Sequence, residues 1–138
     1  MEKEKMTMGK NKFSTEFELN VSPKILYHYI NTASGLEDWF ADKVIATSEK
    51  EYTFIWDGKE HKARKVSQKV NQYVKYEFLP ETPEEKKDPS FLEFRIETNE
   101  LTQTTFLKVT DYSDFDDVKD LEELWKHLFE ALVEKVGG

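Results

Sequence analysis

The first patterned segment of the chain is a short run in which apolar and polar residues alternate. In FSTEFEL, Phe13, Thr15, Phe17 and Leu19 share one face, and the polar residues between them share the other. Because strand side chains alternate between the two faces of a sheet, this run predicts a half-buried first strand. The charged residues 1–12 before it are expected to form a flexible N-terminal tail.

A helix is predicted to follow, beginning at Ser22-Pro23. Serine is a favourable N-cap, and proline is tolerated at the first helical position, where an N–H would have no partner in any case. The helix is expected to end near Asn31, with Ser34-Gly35 breaking the pattern before a second short turn. The apolar side of the helix is Ile25, Leu26, Tyr29 and Ile30, and the turn carries Leu36, Trp39 and Phe40.

The segment EYTFIWDGKEHKA predicts a β-hairpin. Two alternating runs flank Asp57-Gly58, which is a strong signal for a two-residue turn. In that register Trp56 faces Lys59, Phe54 faces His61 and Tyr52 faces Ala63. One face of the hairpin is therefore aromatic, and we expect it to point inward.

Three further strands are predicted, at Tyr73–Leu79, Phe91–Thr98 and Thr104–Asp111. Their inward candidates are Val74, Tyr76, Phe78, Leu92, Phe94, Ile96, Leu107 and Val109. The proline-bounded, charged residues 80–89 separate the first two of these strands and are expected to form a flexible loop.

The strongest helical pattern in the chain runs from about Asp114 to Val136. Its apolar residues fall within half of a helical wheel, so one side of the helix should cover the sheet. These residues are Val118, Leu121, Leu124, Trp125, Leu128, Phe129, Leu132 and Val136. A helix of this length would be about 34 Å long. Asp114, Asp116 and Asp117 would lie at its start, where the helix dipole favours negative charge, and Gly137-Gly138 would end it.

Composition narrows the classes of function. With 138 residues the chain is expected to form one domain, and its lack of cysteine excludes disulfides, thiolate zinc sites and cysteine nucleophiles. The net charge of -8 disfavours nucleic acid as a partner. No apolar run is typical of a secretory signal or a membrane span, so a cytoplasmic location is expected.

The order of elements and several motifs resemble a known superfamily. The segment SPKILYHYINTASGLEDWFADKV is similar to the start of START-like domains, in particular those of the Aha type, the activators of heat-shock chaperones. The hairpin YTFIWDGKEHKA and the helical segment LEELWKHLFEAL also resemble that group. The resemblance covers residues 13–138 and implies an α+β helix-grip fold. In that fold a curved antiparallel sheet wraps around a long C-terminal helix.

The resemblance also implies a cavity between the sheet and the long helix, opening near the short helices. The residues expected to line it are Trp39, Phe40, Tyr52, Phe54, Trp56, His61, Tyr76, Phe94, Trp125 and Phe129. Two interpretations of the aromatic members remain open. They fill a packed core, as interiors normally do, or they hold the two layers apart and stack on a guest.

Catalytic and metal-binding motifs are not evident. The three histidines have no metal-ligand spacing, and neither a phosphate loop nor a nucleophile elbow is present, so no catalytic residue, metal or cofactor is predicted. His61 is either a satisfied histidine near the sheet edge or a group that orients a ligand. The paired carboxylates are consistent with solubility and helix dipoles.

Three functional hypotheses follow. The leading one is a noncatalytic domain that binds a small apolar or aromatic ligand. The second is an Aha-type protein-interaction module that uses its acidic surface or an exposed sheet edge. The third is a cyclase or dehydratase with His61 and Tyr76 as acid and base. The chain is expected to be a monomer or a homodimer.

Overall fold

The computed structural model describes residues 10–114 and 117–137, and only the backbone of residues 84 and 85. It contains seven strands and four helices within these residues. The strands are β1 (Asn11–Leu19), β2 (Lys43–Ala46), β3 (Glu51–Trp56), β4 (Lys59–Lys69), β5 (Tyr73–Phe78), β6 (Phe91–Asn99) and β7 (Thr104–Ser113). The helices are α1 (Pro23–Asn31), α2 (Ala33–Glu37), α3 (Pro83–Lys87) and α4 (Val118–Val136).

All seven strands form one antiparallel sheet in the order β1-β7-β6-β5-β4-β3-β2. The sheet is curved, and α4 covers its inner face, so the predicted α+β helix-grip architecture is confirmed. β1 and β2 are the two edge strands. The large insertion between β1 and β2 contains the two short helices α1 and α2, which close one end of the inner face.

The predicted hairpin has the predicted register. Trp56 pairs with Lys59, and the other two predicted pairs along β3 and β4 are also formed. Asp57 and Gly58 both have positive φ, at 52° and 76°. A two-residue turn with both residues in the left-handed region matches the right-handed twist of the flanking strands, which is why Asp-Gly is favoured there. The aromatic face does point inward.

The predicted position of the break between α1 and α2, at Ser34-Gly35, is wrong, because the break lies at Thr32. Thr32 ends α1 and caps α2: its hydroxyl accepts a hydrogen bond from the Gly35 amide at 2.9 Å. Ser34 and Gly35, predicted to break the helix, lie inside α2. A β-carbon on Gly35 would lie 2.2 Å from the carbonyl oxygen of His28. The glycine is therefore required by close helix packing and not by a turn.

Several strand boundaries also differ from prediction. β1 begins at Asn11, two residues earlier than expected, because Asn11 and Lys12 continue the pairing with β7. The rest of the predicted tail, apart from Lys10, lies outside the described residues. β2 was not predicted, since four residues are too few to show a period. β4 continues past Ala63 to Lys69, with a bulge between Lys65 and Ser67 that interrupts the alternation.

The C-terminal helix is shorter than predicted. α4 begins at Val118, and the side chain of Asp117 caps it by accepting a hydrogen bond from the Lys119 amide at 2.8 Å. Asp114 precedes the helix, and Asp116 lies outside the described residues. The helix ends at Val136 and is capped by Gly137, whose left-handed conformation with φ 79° is typical of a C-terminal cap. Its 19 residues span about 28 Å.

Side chains from the inner face of the sheet, α1, α2 and α4 form the core. Seven of the eight predicted inward strand residues are buried, and Phe78 is half-buried at the end of β5. On α4, Leu121, Trp125 and Leu132 are buried, whereas Val118 and Leu124 are about half exposed. The apolar side of α4 is thus only partly covered. Within the described residues, no helix is long and apolar enough to cross a membrane.

Candidate functional site

Phe40 lies at the centre of a cluster of aromatic rings beneath α4. The segment after α2 carries it into the core, where it is 3% exposed. Its ring centroid lies 5.2–5.7 Å from those of Trp39, Phe54, Trp56, Phe94 and Trp125. Most of these contacts are edge-to-face, the arrangement that the ring quadrupole favours. Most of the predicted aromatic row is therefore packed against itself.

Hydrogen bonds lock two of the tryptophans in place. The indole N–H of Trp39 donates to the carbonyl of Tyr29 at 2.8 Å, and that of Trp56 donates to the carbonyl of Phe40 at 2.8 Å. A buried indole N–H without a partner would be costly, so these bonds select one orientation for each ring. These hydrogen bonds therefore hold the two tryptophan rings of the cluster in fixed orientations.

Two predicted site residues on β3 and β5 hold the end of α1. The hydroxyl of Tyr52 donates to the carbonyl of Asn31 at 3.3 Å, and that of Tyr76 donates to the carbonyl of Ile30 at 2.7 Å. Tyr76 is fully buried, and burial raises its pKa far above the ordinary value for tyrosine. Its hydroxyl is a structural hydrogen-bond donor in this position.

Lys65, which was not a predicted site residue, is the third side chain that binds the end of α1. Its ammonium donates to the carbonyl oxygen and the side-chain oxygen of Asn31, at 3.0 and 2.7 Å. It also lies 4.9 Å from the centre of the Tyr52 ring, within the range of a cation–π contact. Burial lowers the pKa of Lys65 to about 8, with Glu49 opposing the shift. Lys65 lies two residues beyond Ala63, where the predicted hairpin ended, and lysine is seldom buried, so it was not among the predicted inward residues.

A cavity of about 400 Å³ lies between α4 and the end of the inner sheet face nearest the β3–β4 turn. We call it the inner cavity. Its apolar lining is Phe40, Trp56, Phe78, Leu92, Leu124, Trp125 and Leu128, and its polar lining is Asp57, Asp111 and Ser113. The rigid aromatic cluster thus borders the cavity on one side, and the half-exposed turns of α4 border it on the other.

Asp111 is a carboxylate on the inner face of the sheet. In register, it pairs with Leu92 on one side and Phe13 on the other. Its side chain accepts hydrogen bonds from the Ser113 hydroxyl at 2.8 Å and from the Trp125 indole N–H at 3.2 Å. Burial raises the pKa of Asp111, and these two hydrogen bonds oppose the shift. Alternation beyond Leu107 and Val109 would have predicted this inward position.

A second cavity of about 240 Å³, the rim pocket, adjoins the first and shares Trp56, Phe78 and Ser113 with it. His61 lines the rim pocket, together with Lys62 and Glu81. The His61 ring lies 5.3 Å from the Trp56 ring and is half-buried. His61 therefore contacts Trp56 from the rim pocket and lines a different space from Phe40 and Trp125.

The structure divides the ten predicted site residues into three groups. Phe40, Trp56 and Trp125 line the inner cavity, and His61 lines the rim pocket. Trp39, Tyr52, Phe54, Tyr76 and Phe94 are buried in the core and line neither space. Phe129 lies elsewhere, stacked on Phe17 of β1 with ring centroids 4.0 Å apart. The buried residues that line neither space are thus part of a packed core, which is one of the two interpretations that the sequence left open.

Several cavity residues were missed as site residues. Phe78 and Leu92 were predicted to be inward but not to line the space, and Leu124 and Leu128 were assigned only to the apolar side of the helix. Which inward residues face a void depends on how far α4 stands from the sheet, and a one-dimensional pattern does not contain that distance. Among the described residues, no group of histidine, aspartate and glutamate side chains could hold a metal ion.

Comparison with family models identifies the fold family. Residues 6–138 match the model described as "START-like superfamily domain". The chain belongs to the START-like superfamily. A search of the curated proteins returned no match. The predicted resemblance to START-like domains is thereby confirmed over nearly the whole chain.

Solved structures agree with this assignment. BfR322 from Bacteroides fragilis is 33% identical, with a TM-score of 0.62, over 95% of this chain and 93% of that chain. The Aha1 dimer from Colwellia psychrerythraea has a TM-score of 0.74 at 17% identity, over 91% of this chain and 96% of that one. MLL2253 from Mesorhizobium loti has a TM-score of 0.71 at 16% identity, over 90% and 95%. The similarity of fold to an Aha-type protein is therefore confirmed.

Proposed function

We propose that this START-like domain is a noncatalytic binding protein whose inner cavity encloses a small apolar or aromatic molecule. The observation that carries the proposal is the cavity itself. Its volume of about 400 Å³ falls within the roughly 300–1,000 Å³ of typical ligand sites. Seven of its ten lining residues are apolar or aromatic and three are polar, a composition typical of sites that bind an apolar guest and orient it with a few polar groups.

The environment of Tyr76 argues against the enzymatic hypothesis that paired it with His61. The hydroxyl of Tyr76 is fully buried and is committed to the carbonyl of Ile30. Burial holds its pKa well above the ordinary value, which makes it a poor proton donor or acceptor at neutral pH. His61 faces the rim pocket instead. These two groups therefore do not share a site in which they could act together on a substrate.

Two matched variants on α4 test the proposal. Leu124 is 50% exposed and borders the inner cavity, whereas Val118 is 51% exposed and does not line it. Because both positions have room on the solvent side, either should accept tryptophan without loss of folding. Leu124→Trp should block the cavity, and Val118→Trp should leave it open.

The readout is native mass spectrometry of each protein purified gently from its own host, compared with the denatured mass. We expect a mass excess in the wild type and in Val118→Trp that disappears on denaturation. In Leu124→Trp the bound fraction should fall at least tenfold. A wild type that emerges with no bound molecule, or equal loading in both variants, would overturn the proposal.

A protein-interaction role is the second candidate, supported by the open edge of the sheet at β2. Ile45 on that strand is 40% exposed, and the chain carries a net charge of -8. An exposed strand edge can accept a strand from a partner, and acidic surfaces attract basic partners. Capture of a host protein that weakens steeply with added salt, by a chain free of small molecules, would support this candidate over the first.

A further inference from the structure

The charge of the inner cavity restricts the chemistry of its guest. Its charged lining groups are Asp57 and Asp111, and no basic residue lines it within the described part of the chain. Asp57 lies in the exposed β3–β4 turn, whereas Asp111 lies on the floor between Leu92 and Phe13. The cavity would therefore disfavour an anionic guest such as a fatty acid carboxylate, since like charges close together repel each other.

Asp111 retains unused hydrogen-bonding capacity. Its two oxygens offer about four lone-pair sites, and the described structure gives each oxygen one donor, Ser113 on one and Trp125 on the other. No ion pair to Asp111 is found among the described residues. Burial disfavours its charge, and a cation would relieve that cost. A protonated donor placed in the cavity would supply a further hydrogen bond and an opposite charge.

The rings around the cavity suit a cation for a second, independent reason. Trp56 and Trp125 line it together with Phe40 and Phe78. Aromatic faces attract positive charge through their quadrupole, most strongly in tryptophan. The same rings offer flat apolar surface to the uncharged body of a guest. Carboxylate and aromatic walls thus favour one kind of molecule, an apolar body that bears a cationic head.

We propose that the inner cavity selects a protonated amine attached to an aromatic or aliphatic body, and that Asp111 binds the ammonium group. This inference rests on the proposed function, because it needs a guest in the cavity. Asp111 is the residue that sets specificity for charge, whereas the apolar walls set the preference for shape.

Three probes of similar shape test the proposal: naphthylmethylamine, naphthylmethanol and naphthoate, which are cationic, neutral and anionic at neutral pH. Binding is measured by calorimetric titration of the wild type. We expect the amine to bind at least tenfold more tightly than the alcohol, because a charge-assisted hydrogen bond replaces a neutral one. The carboxylate should bind most weakly.

The variant Asp111→Asn separates charge from shape. Its side-chain oxygen can still accept the Trp125 indole N–H, and an unchanged indole resonance in the NMR spectrum would show that the packing is retained. The amine should lose at least tenfold in affinity, and the alcohol should change little. Asp120→Asn is the matched control, since Asp120 is an exposed carboxylate on α4 that does not line the cavity. It should leave the affinities for all three probes unchanged.

The outcomes distinguish the two proposals. If the alcohol binds as well as the amine, or if Asp111→Asn weakens both equally, the assignment of Asp111 is overturned while the ligand-binding function stands. Preferential loss of the amine in Asp111→Asn alone supports the assignment. If none of the probes binds and the protein from its host carries no guest, both proposals fail.

Discussion

Gly35 shows how a missing side chain positions the candidate site. Its α-carbon packs against the last turn of α1, where an added β-carbon would meet the His28 carbonyl oxygen at 2.2 Å and the Tyr29 α-carbon at 2.8 Å. This close approach directs the chain after α2 into the core, where Trp39 bonds to the Tyr29 carbonyl and Phe40 begins the cavity wall. Gly35 therefore helps to form the cavity because its close packing positions Trp39 and Phe40.

We predict that Gly35→Ala destabilises the protein by on the order of 3 kcal/mol. The atoms in the way are backbone atoms that cannot rotate aside, and overpacking of this kind typically costs about 1–3 kcal/mol. Urea denaturation of the variant measures the change in the free energy of unfolding. Ser34→Ala, at an exposed position of the same helix, is the control and should stay within about 0.5 kcal/mol of wild type. Equal stability of both variants would contradict the packing argument.

At the scale of elements, three neighbouring strands hold the C-terminal end of α1. Tyr52 on β3, Lys65 on β4 and Tyr76 on β5 each donate to the carbonyl of Ile30 or Asn31. The last carbonyls of a helix lack partners within the helix and carry partial negative charge. Side-chain donors from the sheet satisfy them and fix the helix across the inner face. Burial of the charged form of Lys65 costs free energy of folding, and this cost disappears as the lysine loses its proton at higher pH.

We predict that stability rises with pH between about 8 and 10 because of Lys65. Its pKa is about 8 in the folded protein and 10.5 ordinarily, so the unfolded chain binds more protons in this window. The unfolding free energy should then increase by up to about 1.4 kcal/mol per pH unit. Above about pH 10 the buried tyrosines, whose pKa values are raised, should reverse the trend.

The variant Lys65→Met should remove this rise, as measured by urea denaturation at a series of pH values. Lys69→Met, at an exposed position on the same strand, should keep the wild-type slope. A slope that survives in Lys65→Met would show that another group is responsible. Glu49, which opposes the shift at Lys65, is the other charged group acting on it, so Glu49→Gln should lower the pKa of Lys65 further and start the rise at a lower pH.

At the scale of the whole molecule, α4 makes two different kinds of contact. Phe129 stacks on Phe17 of the edge strand β1 and anchors the helix to the sheet. Leu128, one residue earlier, faces the inner cavity. Phe129 therefore attaches the helix to the sheet, whereas the adjacent Leu128 lines the inner cavity.

We predict that Phe129→Ala lowers stability by about 2 kcal/mol and leaves ligand affinity unchanged. This value lies below the usual cost for a fully buried phenylalanine, since Phe129 is only half-buried. Leu128→Ala should cost less stability but should alter the affinity for naphthylmethanol, because it changes the cavity wall. Thermal unfolding and calorimetric titration measure the two effects. If affinity changes more in Phe129→Ala than in Leu128→Ala, the division of roles is wrong.

The parts of the fold that the sequence predicts correctly depend on interactions between residues that are close together in the chain. Alternation predicts β1 and the buried faces of the later strands, and Asp57-Gly58 specifies a turn with two positive φ values that pins the hairpin register. Apolar residues that fall within half of a helical wheel predict α4. Each of these depends on residues close together in the chain, and all agree with the global fold.

Tertiary structure alone decided where the space in the molecule lies. The pattern of aromatic residues is the same whether they line a cavity or fill a core. Only the distance between α4 and the sheet leaves Trp56 and Trp125 beside a cavity, while Phe54 and Phe94 are buried against Phe40. The environment of Asp111 likewise depends on Trp125, which is 14 residues away in sequence and lies on α4. Cavities and buried charges arise from long-range packing, so a local pattern does not specify them.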